Sequence, residues 1–434
     1  MTGSRRVVVT GLGVISPLGN TWEALWEGLS AGKSAVAPLT SMPTKFVPTS
    51  FGAEAWNFTG AIEEFGPLDP KLKKSIRKGL NVMCRESQMG VAAAQCALAH
   101  SGVLAGQYDP ERGGVVFGSD YMLTRPEDFT SGVQVCTTDG KFDFNRWAAE
   151  GLPQVAPLWL LKYLPNMPAS HVAIYNDLRG PNNSLTLREA ASNLAIGEAF
   201  RTIVRGSADF IVAGATGTRV HPMKLVHAVT QEEVAGNGQD PATASRPFDK
   251  TRTGMVLGEG AGCVVLEELE YAKARGATIF GEVIGTASSS VIDRQGIAHR
   301  DQALVNVIRG TLRDAGVKPD DVGHIHAHGL STRTSDADEA KAIREVFGAR
   351  KVPVVAAKSN FGNLGAGGGT VELIASLLAL KQGKLFPVIN YKEPDPECAI
   401  NVVTTHDVPA GRSVLNLSVT PQGQAAALLV QVYE

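Results

Sequence analysis

No run of about 18 apolar residues, the length a helix needs to cross a bilayer, occurs in the 434-residue sequence, so no membrane-spanning helix is expected. Cysteine is scarce and unpatterned. The five cysteines (Cys84, Cys96, Cys136, Cys263, Cys398) are odd in number, scattered and without CxxC spacing, which argues against a disulfide framework and against a zinc site. This usage suits a reducing cytoplasm. Charge of one sign is missing too. The 41 Lys and Arg nearly balance 43 Asp and Glu, and the net charge of −2 lacks the basic footprint of general nucleic-acid binders. There is no Walker motif, and the glycines of GLGVISPLG do not carry GxGxxG spacing with its acidic partner. The apolar stretch VVVTGLGVI near the N-terminus is short, β-branched and followed by no small-residue cleavage site. It reads as a buried strand, not a signal peptide.

What is present is a regular alternation. The chain is 44% hydrophobic, enough for one large core or two fused domains. Short β-branched runs (6–14, 114–119, 209–215, 262–268, 280–287, 352–357, 413–418, 426–432) alternate with helical patterns (21–31, 87–101, 189–204, 303–315, 369–381). HIHAHG reads as a strand running into a loop. Such alternation predicts an α/β fold with helices covering the sheets. Each half of the chain carries a Gly-rich turn before an apolar helix, GPNNSLTLREAASNLAIGEAF and KSNFGNLGAGGGTVELIASLL, which hints at an internal duplication. We divide the chain into halves 1–258 and 259–434, with irregular excursions at 41–60 and 121–152 that look like surroundings of a site.

Four segments carry a resemblance. They are RRVVVTGLGVISPLGN, LPNMPASHVAIYNDLRGPNNS, ASRPFDKTRTGMVLGEGAGCVVLEELEYAKARGA, and HAHGLSTRTSDADEAKAI followed by KSNFGNLGAGGG. In this order they resemble β-ketoacyl synthases of the elongating type. The resemblance implies a thiolase-like fold of duplicated βαβαβαββ halves in a layered αβαβα architecture, normally a homodimer. It implies acyl carrier protein as partner and no cofactor of the chain's own, because the phosphopantetheine arm travels on the carrier protein. In that family a cysteine at a helix N-terminus takes the acyl chain, helped by the helix dipole. Two histidines then stabilise the enolate oxygen as malonyl carrier protein loses carbon dioxide.

Mapped onto this chain, the nucleophile's position is Glu189, and no cysteine lies between Cys136 and Cys263. The first family histidine matches His328, and the second is replaced by Asn363. Lys358 matches the family lysine, and Asp336 and Glu339 match the acidic pair. Leu330 replaces a threonine that contacts pantetheine, while Thr332 keeps the other. The Gly-Phe-Gly-Gly loop reads SVTPQG, 418–423, and includes Thr420. A glutamate at a helix start is ordinarily a dipole partner. It cannot perform transthiolation, since a carboxylate would form a labile mixed anhydride. Glu189 could be a general base if burial raises its pKa, or it could plug the site. His324, His326 and His328 alternate as on one strand face, which suggests a metal site, but a buried strand without further ligands is the better reading. The run Lys71, Lys73, Lys74, Arg77 and Lys78 matches the family's carrier-docking region, against the alternative of a solvated helix face.

The leading expectation is a β-ketoacyl synthase-like protein of fatty-acid or polyketide-type metabolism. It would act on acyl or malonyl carrier protein by decarboxylation or direct condensation, with His328 and Asn363 at the thioester oxygen. The rivals are a non-catalytic chain-length-factor-like subunit, which would make a heterodimer with a cysteine-bearing synthase, and a carrier-protein-binding protein without turnover.

Overall fold

The computed structural model describes residues 5–45, 47–103 and 106–434. Eleven strands form one mixed sheet: β1 (Val7–Ile15), β2 (Gly113–Ser119), β3 (Asn182–Thr186), β4 (Phe210–Thr218), β5 (Glu259–Glu268), β6 (Gly281–Ser290), β7 (His324–His326), β8 (Pro353–Val355), β9 (Asn401–Val402), β10 (Ser413–Val419) and β11 (Gln424–Gln431). Their spatial order is β9-β8-β7-β10-β11-β6-β1-β5-β4-β2-β3.

Read outward from its middle, the sheet repeats itself. β1 pairs antiparallel with β5, β5 antiparallel with β4, and β4 and β2 parallel with β2 and β3. On the other side β6 pairs antiparallel with β11, β11 antiparallel with β10, and β10, β7 and β8 run parallel. Even the irregularities correspond: β1 has a register shift between Val9 and Gly11, and β6 one between Val283 and Gly285. Three residue pairs, Val7↔Val283 to Val9↔Gly281, join the two halves. The duplication hinted at by the sequence is thus a repeat of strand order. The division at 258/259 differs from this pairing. β5 lies between β1 and β4, so it completes the first half, and the change of half falls between β5 and β6.

The helices follow from apolar patterning. α1 (Pro70–Gly79) starts behind Asp69, whose carboxylate caps Lys71 N and Leu72 N. α2 (Arg85–Ser101) is alanine-rich, buried almost all round, and lies on β1, β5 and β4. α3 (Ala191–Val204) and α6 (Gly368–Gln382) form the middle layer, each touching strands of both halves. α6 is buried from Gly368 to Leu380, which is why it shows no polar stripe. α4 (Arg300–Ala315) covers β6 and β11, and α5 (Arg333–Phe347) packs on α4.

The starts of α3 and α6 abut. A Cβ at Gly369 would lie 2.4 Å from Ser192 Oγ and 3.3 Å from Ser192 Cβ, so a larger residue would force that hydroxyl to turn away. A Cβ at Gly217, near the end of β4, would lie 2.6 Å from Leu364 O and Ala366 N. Two close approaches therefore bring the beginning of α3, the end of β4 and the 362–367 loop to one point. Among the described residues no helix is long and apolar enough to cross a membrane.

Candidate active site

His328 sits just past β7, in the loop 327–331 that leads to α5. Two carboxylates of α5 hold this loop by its backbone. Glu339 accepts from His328 N (2.7 Å) and Gly329 N (2.8 Å). Asp336 accepts from Leu330 N (2.9 Å), Ser331 N (3.1 Å) and Phe248 N (2.8 Å). The loop needs such anchors, because Ser331 has φ 67°. Burial pushes Asp336 up to about 6 and Glu339 up to about 7, against the backbone amides that favour their charged forms.

The strand itself ends at His326, so the three alternating histidines do not continue on one strand face. Each has its own environment. His324 Nδ1 meets Ala410 O at 2.8 Å. His326 lies between the Ser376 hydroxyl (2.8 Å) and the Ala357 amide, which donates to Nε2 (3.2 Å). Among the described residues no group of three or more His, Cys, Asp or Glu side chains is arranged to hold a metal ion.

His328 Nδ1 faces Lys358 Nζ at 3.3 Å. Lysine has donors and no acceptor, so Nδ1 is the acceptor and the imidazole proton lies on Nε2. Nε2 is buried and has no partner. Burial, and then the Lys358 ammonium, hold His328 well below its usual pKa, so the ring is neutral. Lys358 is fixed in turn by Glu372 of α6. The result is a neutral N–H donor on a braced ring, the type of group that stabilises a developing oxyanion.

Glu189 occupies the first turn leading into α3 and is 2% exposed. Its Oε1 accepts from Arg219, which is 1% exposed, and from Asn363 Nδ2 (3.1 Å). Its Oε2 lies 3.3 Å from Arg188 Nε. Burial alone would raise the Glu189 carboxyl. Arg219 and Arg188, with the Asn363 amide, more than offset this and hold it well below the usual carboxylate range. A carboxylate so paired is ionised and a weak base, which removes the physical premise of a general base with a raised pKa. Asn363 is fixed as well: its N–H donates to Val256 O (2.8 Å), its C=O accepts from Gly258 N (2.9 Å), and its side-chain oxygen accepts from Gly365 N (3.0 Å). The two hydrogens of Asn363 Nδ2 face Glu189 Oε1 and Met255 Sδ (3.5 Å), so both side-chain donors are engaged.

The remaining sequence candidates fall in three places. Thr332 is the N-cap of α5, accepting from Ser335 N (3.3 Å). With Leu330, Glu232, Glu233, Val419 and Pro421 it also lines a surface cavity of about 120 Å³. Thr420 is fully buried in the β10–β11 turn, its hydroxyl within 3.0 Å of Gln424 Oε1. The structure gives it a bracing contact in that turn. Lys71, Lys74, Arg77 and Lys78 are exposed along α1, and Lys73 pairs with Glu63 at 3.1 Å.

Sequence reasoning missed Arg219, Arg188, Glu232, Asp120 and Glu372. Asp120 backs Arg219 at 3.6 Å, and Glu232 Oε1 takes Arg188 Nη2 at 2.6 Å. Two signals were available. Glu372 is the one acid in the apolar run GTVELIASLLAL, and Arg219 directly follows the apolar strand β4. A charge in such a place needs a partner.

Comparison with known proteins agrees with this geometry. The pattern of the family described as Beta-ketoacyl synthase, N-terminal domain matches residues 4–272, and that of Beta-ketoacyl synthase, C-terminal domain matches residues 280–392. A 3-oxoacyl-[acyl-carrier-protein] synthase 2 of Coxiella burnetii is 36% identical over 404 residues, 92% of this chain and 91% of that one. Among solved structures, the ishigamide ketosynthase/chain length factor is 29% identical, with a TM-score of 0.83 and 100% of both chains covered. A type II polyketide acyl-carrier protein in complex with its ketosynthase, 24% identical with a TM-score of 0.83 over 100% of both chains, is alike in fold. With thiolase-like halves, a matched pattern over most of its length and a full-length relative, the chain belongs to the β-ketoacyl synthase family.

Proposed function

We propose that the chain acts on malonyl carrier protein as a decarboxylase that forms no covalent acyl intermediate. The observation that carries this reading is the free Nε2–H of neutral His328, held by Lys358 and Glu372. In the proposed step the bond between the malonyl carboxylate and its α-carbon breaks. Carbon dioxide leaves, and the electron pair moves onto the thioester carbonyl. The enolate oxygen accepts the His328 Nε2–H hydrogen bond, and a proton from water at carbon completes acetyl carrier protein. Glu189 takes no covalent part. Its buried, arginine-paired carboxylate fills the place of an acylated side chain, and transfer to a carboxylate would give only a labile anhydride.

The carrier protein would dock on the exposed cations of α1, and its arm would enter the cavity lined by Leu330, Thr332 and Val419. Malonyl carrier protein should lose carbon dioxide with the purified chain, and His328→Ala should abolish the loss, as read by mass spectrometry. Decarboxylation that persists in His328→Ala would overturn the mechanism.

A second reading is favoured by one observation. The two Asn363 amide hydrogens are engaged by Glu189 Oε1 (3.1 Å) and Met255 Sδ (3.5 Å), which leaves His328 as the donor at the oxygen. A chain-length-factor-like subunit needs no complete oxyanion site. If malonyl carrier protein is unchanged by the isolated chain and turned over only with a cysteine-bearing synthase, that reading replaces the first.

A further inference from the structure

One arginine joins the wall of the surface cavity to Glu189. Arg188 reaches Glu232 Oε1 with Nη2 at 2.6 Å, Glu189 Oε2 with Nε at 3.3 Å, and Gln422 Oε1 with Nη1 at 3.4 Å. Glu232 lines the cavity, and Gln422 belongs to the turn whose Val419 and Pro421 line it too. The Arg188 guanidinium therefore stands between the cavity wall and Glu189, with its side chain 14% exposed.

Two details distinguish this pair from a purely structural one. The Glu232 carboxylate keeps unspent hydrogen-bonding capacity in a buried place: among the described residues its Oε2 has no hydrogen-bond partner, and its side chain is 8% exposed. A pair built only for stability would have this atom satisfied. Arg188 also has φ 50°, left-handed backbone that non-glycine residues rarely adopt, and such outliers collect at sites of function.

We propose that Arg188 and Glu232 form an inner gate of the carrier-arm pocket, and that the free Oε2 of Glu232 is the acceptor that recognises an amide N–H of the arm. This rests on the reading of the cavity as the arm's site. Leu330 has no polar side-chain atom, and among the polar side chains that line this cavity Glu232 alone has a buried oxygen without a hydrogen-bond partner among the described residues. The ligand class that fits is a neutral, amide-bearing chain. Glu232 and Glu233 at the wall disfavour an anionic one, and the cation there, Arg300, is paired with Asp338 at 2.8 Å. An arm that passes from the cavity toward Glu189 has to displace the Arg188 guanidinium.

The test uses the full chain with Glu189→Cys, so that a thiol at position 189 reports access, followed by peptide mass mapping. The probes are iodoacetamide and a chloroacetamide of pantetheine. Adding Arg188→Ala should speed alkylation at position 189 by about tenfold with both probes, as removal of a closed state requires. Equal rates with and without Arg188→Ala overturn the gate. Glu232→Gln should also open the gate to iodoacetamide yet lose the preference for the pantetheine reagent. A retained preference overturns the role given to Oε2. The wild-type chain and its Glu232→Gln form provide a second measurement that keeps Glu189, namely calorimetric binding of pantetheine itself, which should weaken about tenfold in the variant. If pantetheine binds neither form and its reagent is no faster than iodoacetamide, the arm-site reading fails. The iodoacetamide rates alone then decide the gate.

Discussion

Glu189 is buried against an arginine that is itself 1% exposed, so removing either partner leaves a charge without its counterpart. Arg219→Met is expected to cost on the order of 3–5 kcal/mol, because Glu189 then loses its principal partner. Combining it with Glu189→Gln should recover part of that loss, since the Glu189 charge is gone while buried Asp120 still lacks its arginine. Thermal or urea unfolding of the two single variants and the double variant measures the coupling. Additive losses would mean that the pair is not a unit. Position 189 was legible from the fixed distance to GPN and IGEA in the sequence, and so was His328 from its HAHG setting. Its partner was not. Arg219 lies 30 residues further on, and the Arg188–Glu232 contact joins positions 44 apart. Spacing within one helix or strand carries no trace of such contacts, which exist only because β4 and the start of α3 end at the same point.

The strands and helices were the readable part, because β-branched runs and apolar stripes are local. β1, α2, β10 and β11 begin and end within a few residues of where their patterns place them. The misreading of the histidine strand has a physical cause. Alternation fits a strand of any length, but β7 is only three residues long, and the carboxylates of α5 turn the chain aside after it. Within β7, His324 is fully buried, and burial holds its pKa at about 4, below the value of about 6.5 for an exposed histidine. A folded-state pKa lowered in a histidine means that the unfolded chain binds the proton first. The group is neutral in both states above about pH 6.5, and stability is lost as pH falls from there toward 4. At pH 5 the loss due to His324 should be about 2 kcal/mol. His324→Gln should flatten the pH dependence of the unfolding midpoint between 7 and 5. An unchanged slope in that variant would exclude His324 as its source.

For the molecule as a whole, the net charge of −2 conceals a local concentration, since five cations and no acid lie within Lys71–Lys78 of one helix. Lys71, Lys74, Arg77 and Lys78 face outward from α1, so encounter with an acidic carrier protein should be fast at low salt and slow at high salt. Reversing Lys74→Glu and Lys78→Glu together should lower the association rate about tenfold at low ionic strength, with a smaller effect at high ionic strength. Stopped-flow binding at two salt concentrations measures this, and an unchanged rate at both would move the docking site off α1.

The meeting of α3 and α6 has a consequence beyond packing. Because the duplicated halves bring two helix beginnings together, their partial positive charges converge on one spot, set by backbone that no side-chain substitution removes. The fold thus carries a standing demand for a negative group there, whichever residue supplies it. The Glu189 carboxylate meets that demand, and a thiolate at the same position would meet it too. The chemistry within reach at position 189 can therefore differ while the electrical balance of the scaffold stays almost the same.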